Sequence, residues 1–353
     1  MSSATEDDPI PLDDDTSADV EPSTEELRLL HCTDEDHGER LDRVIARHFP
    51  DLSRSTAQKL IKDEQVMLDG EAPPRGAKTQ VQTGQSWTVR PSLSNPVALT
   101  PQAIALDILY EDDDLLAVNK PAGMVVHPSL GHPDGTLVNA VLHHVRDMER
   151  RPEDLRPGIV HRLDRETSGA ILVAKHAEAH QALQATFQER RIEKRYLAVL
   201  KGVPEPPHGT YDTLYGRHPH HRKKFSSRVP EGKQAITHYV IVETYPGVCL
   251  AEVVIETGRT HQIRVHFSDH GYALVGDQTY GSRRTLRDPD VKALAYAFDR
   301  TALHAWQLRL RHPLRPKKKL RIEAPVPEDL DTLIERMRDI SRQRGKDPQV
   351  QWT

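Results

Sequence analysis

The chain has 353 residues, 37% hydrophobic and 29% charged, with a formal net charge of −5. That length holds two domains, and the hydrophobic fraction supports one sizeable core plus a small module. No apolar run reaches the roughly 18 residues a membrane span needs, and Cys32 and Cys249 stand far apart without a C-x-x-C partner, which argues against a disulfide framework and a thiolate metal site.

Residues 1–29 contain ten acids and one base, Arg28. Rich in Pro, Ser, Thr and acids and poor in large apolar side chains, they are expected to form a disordered acidic tail. The tail has no basic region followed by an apolar one, so it does not read as a signal peptide, and a chain with two ordinary thiols is expected in the cytoplasm. Beyond the tail the charge balance turns mildly positive.

Residues 30–91 are expected to form a compact module. Leu41, Val44, Ile45 and Phe49 recur at helical spacing, and a second helix starts behind Ser53 and runs to Lys62. Val-Met-Leu-Asp-Gly at 66–70 predicts a strand entering an Asp-Gly turn, and Ser-Trp-Thr-Val-Arg at 86–90 predicts a later strand. A Pro- and Ser-containing linker follows over 92–105.

Residues 106–327 mix strands and helices. Strands are expected at 108–110 and 115–118 around an acidic turn, then a helix at 137–144, a helix at 177–190 and a strand at 196–200. Two paired strands, 236–242 and 248–255, flank Tyr245-Pro-Gly247, and a helix over 260–270 is closed by Gly271. After Pro327 the spacing predicts one amphipathic helix and a polar end, over 328–353. The absence of a regular strand-helix repeat favours an α+β fold over a doubly wound one.

Residues 158–169 read Gly-Ile-Val-His-Arg-Leu-Asp-Arg-Glu-Thr-Ser-Gly. A polar segment carrying Asp164 sits between the apolar pair Ile159 and Val160 and the apolar run 170–174, a pattern that predicts strand, exposed loop, strand. So many charges do not suit a buried strand. The loop is expected to face a cleft, with its acid a candidate catalyst.

Together with Tyr196 in Glu-Lys-Arg-Tyr-Leu-Ala and Gly-Arg-Thr-His-Gln-Ile-Arg at 258–264, this segment closely resembles the signature of RNA pseudouridine synthases. Within that superfamily it is similar to the group containing the large-subunit ribosomal synthase D. The resemblance covers most of residues 31–326 and implies a mixed, largely antiparallel central sheet with a catalytic cleft. The N-terminal module resembles the small α/β RNA-binding domain named after ribosomal small-subunit protein four. By that resemblance its helix pair presents Arg40, Arg43, Arg54, Lys59 and Lys62 to structured RNA, whose backbone needs several cations at once.

The family's reaction breaks the bond between ribose and the uracil nitrogen, turns the base, and joins the same sugar carbon to ring carbon five. It needs a carboxylate at the reacting centre and a base that later removes a proton. Asp164 matches the family's catalytic aspartate; whether it attacks the ring, attacks the sugar or assists a deprotonation stays open. Arg264 matches the arginine that pairs with that acid and keeps it ionised. Tyr196 matches the tyrosine that stacks on the base and can reach its carbon-five proton; the bland alternative is a buried core tyrosine. The base must first leave its stack, and Arg162 matches an arginine that fills the vacated space or holds the flipped nucleotide. His161 reads as a hydrogen-bonding scaffold. The run 216–225 resembles a basic insertion of the large-subunit group, with Arg217, Arg222 and Lys223 suited to phosphates. Its histidines do not suit a metal: Pro219 interrupts their spacing, and no acid or cysteine lies nearby.

The expectation is therefore a monomeric RNA isomerase that uses no cofactor, no metal and no membrane, acting on 23S ribosomal RNA of the large subunit or its precursor. A transfer RNA target shares all three motifs. A glycoside hydrolase with Asp164 and Glu166 as its acid pair is a rival class, which the RNA-binding module disfavours. A ribosome assembly factor without chemistry is another, disfavoured by the intact Asp164, Tyr196 and Arg264.

Overall fold

The computed structural model describes residues 27–50, 52–90, 99–128, 132–145, 148, 157–221, 224–281 and 285–346, in two compact units that divide after residue 98. The expected acidic tail lies outside the described residues up to position 26. Its last two residues instead open β1 (Arg28–His31), because Leu30 belongs to the core of the first unit.

In the first unit α1 (Leu41–His48) and α2 (Arg54–Lys62) are followed by β2 (Val66–Leu68) and β3 (Ser86–Val89). The antiparallel strands run in the order β1-β3-β2. Leu41, Val44 and Ile45 of α1 and Ala57, Leu60 and Ile61 of α2 are buried with Trp87, the stripe expected of helices covering one face of a sheet. Ser53 caps α2 by accepting from the Thr56 N–H at 3.1 Å. Asp69 and Gly70 both have positive φ, 53° and 86°, as a two-residue hairpin turn requires. At the start of α1 the carboxylate of Asp42 is fully buried. It accepts from Arg40 at 2.9 and 3.0 Å, Arg54 at 3.0 Å and Gln58 at 2.7 Å, which fastens α1 to α2.

The second unit contains β4 (Ile108–Glu111), β5 (Leu115–Lys120), α3 (Leu137–His144), β6 (Ser168–Ala174), α4 (Ala177–Gln188), β7 (Ile192–Lys201), β8 (His208–Arg217) and β9 (Phe225–Ser226). It continues with β10 (Lys233–Tyr245), β11 (Val248–Ile255), α5 (Gln262–Asp269), α6 (Pro289–Ala297), β12 (Leu303–Arg311), β13 (Lys319–Glu323) and α7 (Glu328–Gln343). One sheet runs β4-β5-β6-β12-β7-β11-β10-β8-β9, with β13 on β12. The β6–β12 pairing is parallel and the others are antiparallel, so the mixed, largely antiparallel α+β architecture expected from the sequence is the one observed. α3 packs its buried Leu137, Val138, Val141 and Leu142 against Leu116, Val118, Ile171 and Val173. α7 buries Leu330, Leu333, Ile334, Met337 and Ile340 in a second cluster. Arg338 of α7 binds the fully buried Glu243 of β10 through Nε at 2.7 Å.

Two expectations need correcting. Residues 99–105 were expected to be linker, yet Asn139 of α3 donates to the Thr100 carbonyl at 2.9 Å and the Gln102 N–H donates to the Asn139 carbonyl at 2.9 Å, so this stretch is fastened to the second unit. Ile159 and Val160 do not form a strand. Only Ile159 bridges to Val173, because Gly158, at φ +73°, turns the chain where a Cβ would stand 2.2 Å from the Ala174 carbonyl oxygen.

Candidate active site

Asp164 lies on the loop leading into β6, and the loop is tied down residue by residue. The Thr167 N–H closes a turn on the Asp164 carbonyl at 3.0 Å, and Leu163 is buried in the core. The next carbonyl, that of Arg165, accepts from the Gly123 N–H at 2.8 Å and from Lys120 Nζ at 3.1 Å. Lys120 is fully buried at the end of β5; its other two donations go to the carbonyls of Pro121 at 2.7 Å and Met124 at 2.9 Å. Burial pushes the Lys120 amine down to about 7, against the pull of Asp164 and Glu166. Gly169 completes the clamp: a Cβ there would stand 2.2 Å from the Ala305 carbonyl oxygen of β12.

α5 brings the counter-charge. Gln262 pins the helix start to β10, donating to the Ile236 carbonyl and Thr237 Oγ1, both at 2.9 Å, while its oxygen accepts from Thr257 at 2.7 Å and from the Arg259 N–H at 3.0 Å. Arg264 follows, with its side chain 9% exposed. Its Nη1 donates to Asp164 Oδ2 at 3.0 Å, and its Nε and Nη2 grip the fully buried Asp277 at 2.8 and 3.0 Å. Tyr280 lies with its ring 5.2 Å from that guanidinium, and its N–H binds Asp277 at 2.9 Å. One buried arginine is thus held by one buried acid and offered to another that stays 20% exposed.

Burial disfavours charge on Asp164, but the cationic surroundings outweigh it and hold the carboxyl below the usual carboxylate range. His261 is close, at 3.9 Å, but burial pushes its own protonation down, so the standing positive charge that keeps Asp164 ionised at neutral pH is that of Arg264. Arg264 itself is driven further up: burial opposes its charge, and its two carboxylates more than offset that.

Tyr196 is 7% exposed on β7 and packs in the large core cluster, as the bland expectation had it, yet it also feels Asp164: burial and that negative charge raise its hydroxyl pKa and keep it protonated. Arg162 is exposed, and its charge reaches Asp164. His161 is a scaffold: its Nε2 accepts from the Leu172 N–H at 2.8 Å and its ring stacks on Phe187 at 4.6 Å.

The structure sorts the expected RNA-facing cations unequally. Arg40 and Arg54 are drawn to the buried Asp42, while Arg43, Lys59 and Lys62 are exposed on the same helix pair. Arg217 is exposed and lies 4.4 Å from the Phe225 ring; Arg222 and Lys223 fall outside the described residues. Among the described residues one group, Asp112, Asp114 and His312, has ligand-type atoms within 4.8 Å of one another. His312 Nδ1 accepts two backbone N–H groups, so its proton sits on Nε2 and points at Asp112, and Arg315 and Lys318 neutralise the acids. That arrangement is an ion-pair network.

Sequence reasoning missed Asp277, Tyr280 and Lys120 as members of the site. Asp277 and Tyr280 do carry a signal, since Gly-Asp-Gln-Thr-Tyr-Gly at 276–281 sets an acid between glycines. Lys120 carries none beyond a charge at the end of an apolar strand. Among the described residues no helix is long and apolar enough to cross a membrane.

A family model described as RNA pseudouridylate synthase matches residues 114–269, and one described as S4 domain matches residues 39–72. The chain is 41% identical over 289 residues to an uncharacterized RNA pseudouridine synthase of Aquifex aeolicus (strain VF5), covering 81% of this chain and 90% of that protein. It is 41% identical over 306 residues to ribosomal large subunit pseudouridine synthase D of Escherichia coli (strain K12), covering 85% and 91%. A solved structure, human RNA pseudouridylate synthase domain containing 1, is similar with a TM-score of 0.51 at 29% identity, over 66% of this chain and 89% of that one.

Proposed function

This chain belongs to the RNA pseudouridine synthase family and is an RNA isomerase with an N-terminal S4 domain; from that premise we propose that it modifies uridines of large-subunit (23S) ribosomal RNA, through Asp164. The observation that carries the role of Asp164 is its asymmetry. One oxygen, Oδ2, is committed to the buried Arg264, and the other makes no hydrogen bond among the described residues, on a side chain that stays 20% exposed and a loop that is tied down. An ionised carboxylate with one oxygen open is what attack at, or stabilisation of, the reacting centre requires.

On this reading Arg162 holds the flipped nucleotide and Tyr196 stacks on the base. Because Tyr196 stays protonated, it serves carbon five as a relay rather than as a standing base. Its oxygen takes the proton from carbon five as its own proton passes to the Asp164 carboxylate. Arg43, Lys59 and Lys62, with Arg40 and Arg54 as far as Asp42 leaves them exposed, supply backbone affinity. Arg217, Arg222 and Lys223 supply further phosphate contacts. The large-subunit target is supported by what the Escherichia coli relative is named for. The enzyme is read as a cytoplasmic monomer that needs no metal or cofactor.

The test is pseudouridine mapping across ribosomal and transfer RNA in cells that lack the gene, complemented with wild type or with Asp164→Asn. Sites in large-subunit RNA should vanish, return with wild type, and stay absent with the variant although its thermal melting is unchanged. Loss confined to transfer RNA would overturn the target, and restored sites with Asp164→Asn would overturn the carboxylate's role.

A further inference from the structure

His261 stands at the head of α5 in a left-handed backbone conformation, φ +58°, which costs a residue other than glycine about 1 kcal/mol or more. Its surroundings dictate where its proton sits. Nδ1 is 3.0 Å from the Tyr280 hydroxyl, and that hydroxyl already accepts the Phe225 N–H at 3.0 Å. With one acceptor position of the phenol taken by that N–H, we assign the phenol's own proton to Nδ1. On that assignment the imidazole, kept neutral by burial, carries its own proton on Nε2. That nitrogen faces Asp164 Oδ1 at 3.9 Å, the oxygen Arg264 does not take. The gap is too long for a hydrogen bond and too short to admit a water between the two atoms. Catalytic hydrogen bonds are often long in the empty enzyme and tighten when substrate arrives.

We propose that His261 is a positioning residue for Asp164: its Nε2–H, fixed in place by Tyr280, closes onto Oδ1 when the nucleotide enters and sets the plane of the carboxylate against the reacting sugar or base. Arg264 fixes one oxygen, but a single hydrogen bond leaves the carboxylate free to swing about it. A second donor on the other oxygen removes that freedom and leaves a lone pair of Oδ1 free for the reacting centre. The arrangement also explains the left-handed backbone, which turns the ring of residue 261 back toward the acid rather than along the helix. Tyr280 joins the pieces: its N–H and ring support Asp277 and Arg264, and its hydroxyl sets the tautomer of His261.

The inference rests on the reading of Asp164, and two substitutions separate it from a purely structural role. In His261→Gln the side-chain amide nitrogen reaches about as far as Nε2. In His261→Asn it reaches only as far as Nδ1, although Asn accepts the left-handed backbone more easily. Single-turnover isomerisation and RNA affinity are measured on full-length protein, beside Asp164→Asn. His261→Asn should lose about 10- to 100-fold in rate, at or below the loss on removing one preorganised donor, with unchanged affinity, and His261→Gln should recover most of that loss. Tyr280→Phe keeps the ring and frees the tautomer, so it should slow the rate by several fold, and should add nothing to His261→Asn. It keeps the test open if the His261 variants fail to fold. Wild-type rate in His261→Asn or in Tyr280→Phe, a faster Asn than Gln variant, or a loss seen in affinity alone would overturn the proposal. If Asp164→Asn is itself active, the reading of the site fails first; if it is dead while His261→Asn is unimpaired, only this inference fails.

Discussion

Asp42 and Asp164 are both aspartates bound to arginines beside a helix, one in each unit of the molecule, and they differ in which partner is buried. At Asp42 the acid is fully buried and accepts from three side chains, while its arginines are 34% and 47% exposed. At Asp164 the arginine is buried and gives Nε and Nη2 to Asp277, while the acid stays 20% exposed with only one of its oxygens taken by that arginine. Burying the acid consumes its lone pairs and yields a rivet between helices. Burying the base instead leaves an ionised acid with unused hydrogen-bonding capacity, which suits the role proposed for Asp164. The fully buried partner of the second site is Asp277, so the structural duty that Asp42 performs in the first unit falls there to a different residue.

The comparison breaks first at Arg264. Arg264→Ala strips Asp277 of the arginine that pairs with it through two hydrogen bonds, leaving a buried charge at a cost of roughly 3 to 5 kcal/mol, and should abolish isomerisation as well. Chemical denaturation with a parallel activity assay would show both losses. A stable, inactive variant would mean that Asp277 finds another partner. Asp42→Ala should be milder, about 1 to 3 kcal/mol, because the arginines it releases can turn to water. It should leave the isomerisation rate of bound RNA unchanged. Burial opposes charge on Asp42, but hydrogen bonds from Arg40, Gln58 and Arg54 hold its carboxyl far below the usual range. Its contribution is therefore complete above the ordinary carboxylate pKa and is lost as pH falls below it, so the melting temperatures of wild type and variant should converge in acid.

Lys120→Met sharpens the contrast from the loop side and should have the smallest effect, about 1 to 2 kcal/mol for the hydrogen bonds lost at the Pro121, Met124 and Arg165 carbonyls, the last of which keeps the Gly123 N–H. The folded amine titrates near 7 and the unfolded one near the ordinary lysine value, so between them the unfolded chain binds more protons. Wild type should therefore gain stability relative to the variant as pH rises through that window. A pH-independent difference in melting temperature would show that Lys120 stays protonated in the fold.

The ion pair proposed to carry the chemistry was legible because Asp164 and Arg264 sit in dense polar segments whose residue types have few other uses. The helices of the first unit were legible for a similar reason: Leu41, Val44 and Ile45 form an unbroken apolar stripe. Strand β12 was missed although Leu308 and Leu310 alternate with Arg309 and Arg311, because its irregular pairing near Trp306 breaks the alternation. Ile159 and Val160 misled in the opposite sense: two apolar residues suggest a strand, but the glycine before them directs the backbone elsewhere. That Arg40 and Arg54 also serve Asp42 was not legible, because nothing local announces that Asp42 is buried; burial there depends on α1 meeting α2.

The parallel seam between β6 and β12 sets an order on biosynthesis. Ser168 bonds to His304 at 2.9 Å and Gly169 lies against Ala305, so the loop bearing Asp164 is braced by a strand made 136 residues later. Domains fold as units during synthesis, N-terminal ones first. A growing chain therefore completes its S4 module while the loop that carries Asp164 still lacks its brace, so the two halves of the molecule reach their final form at different times.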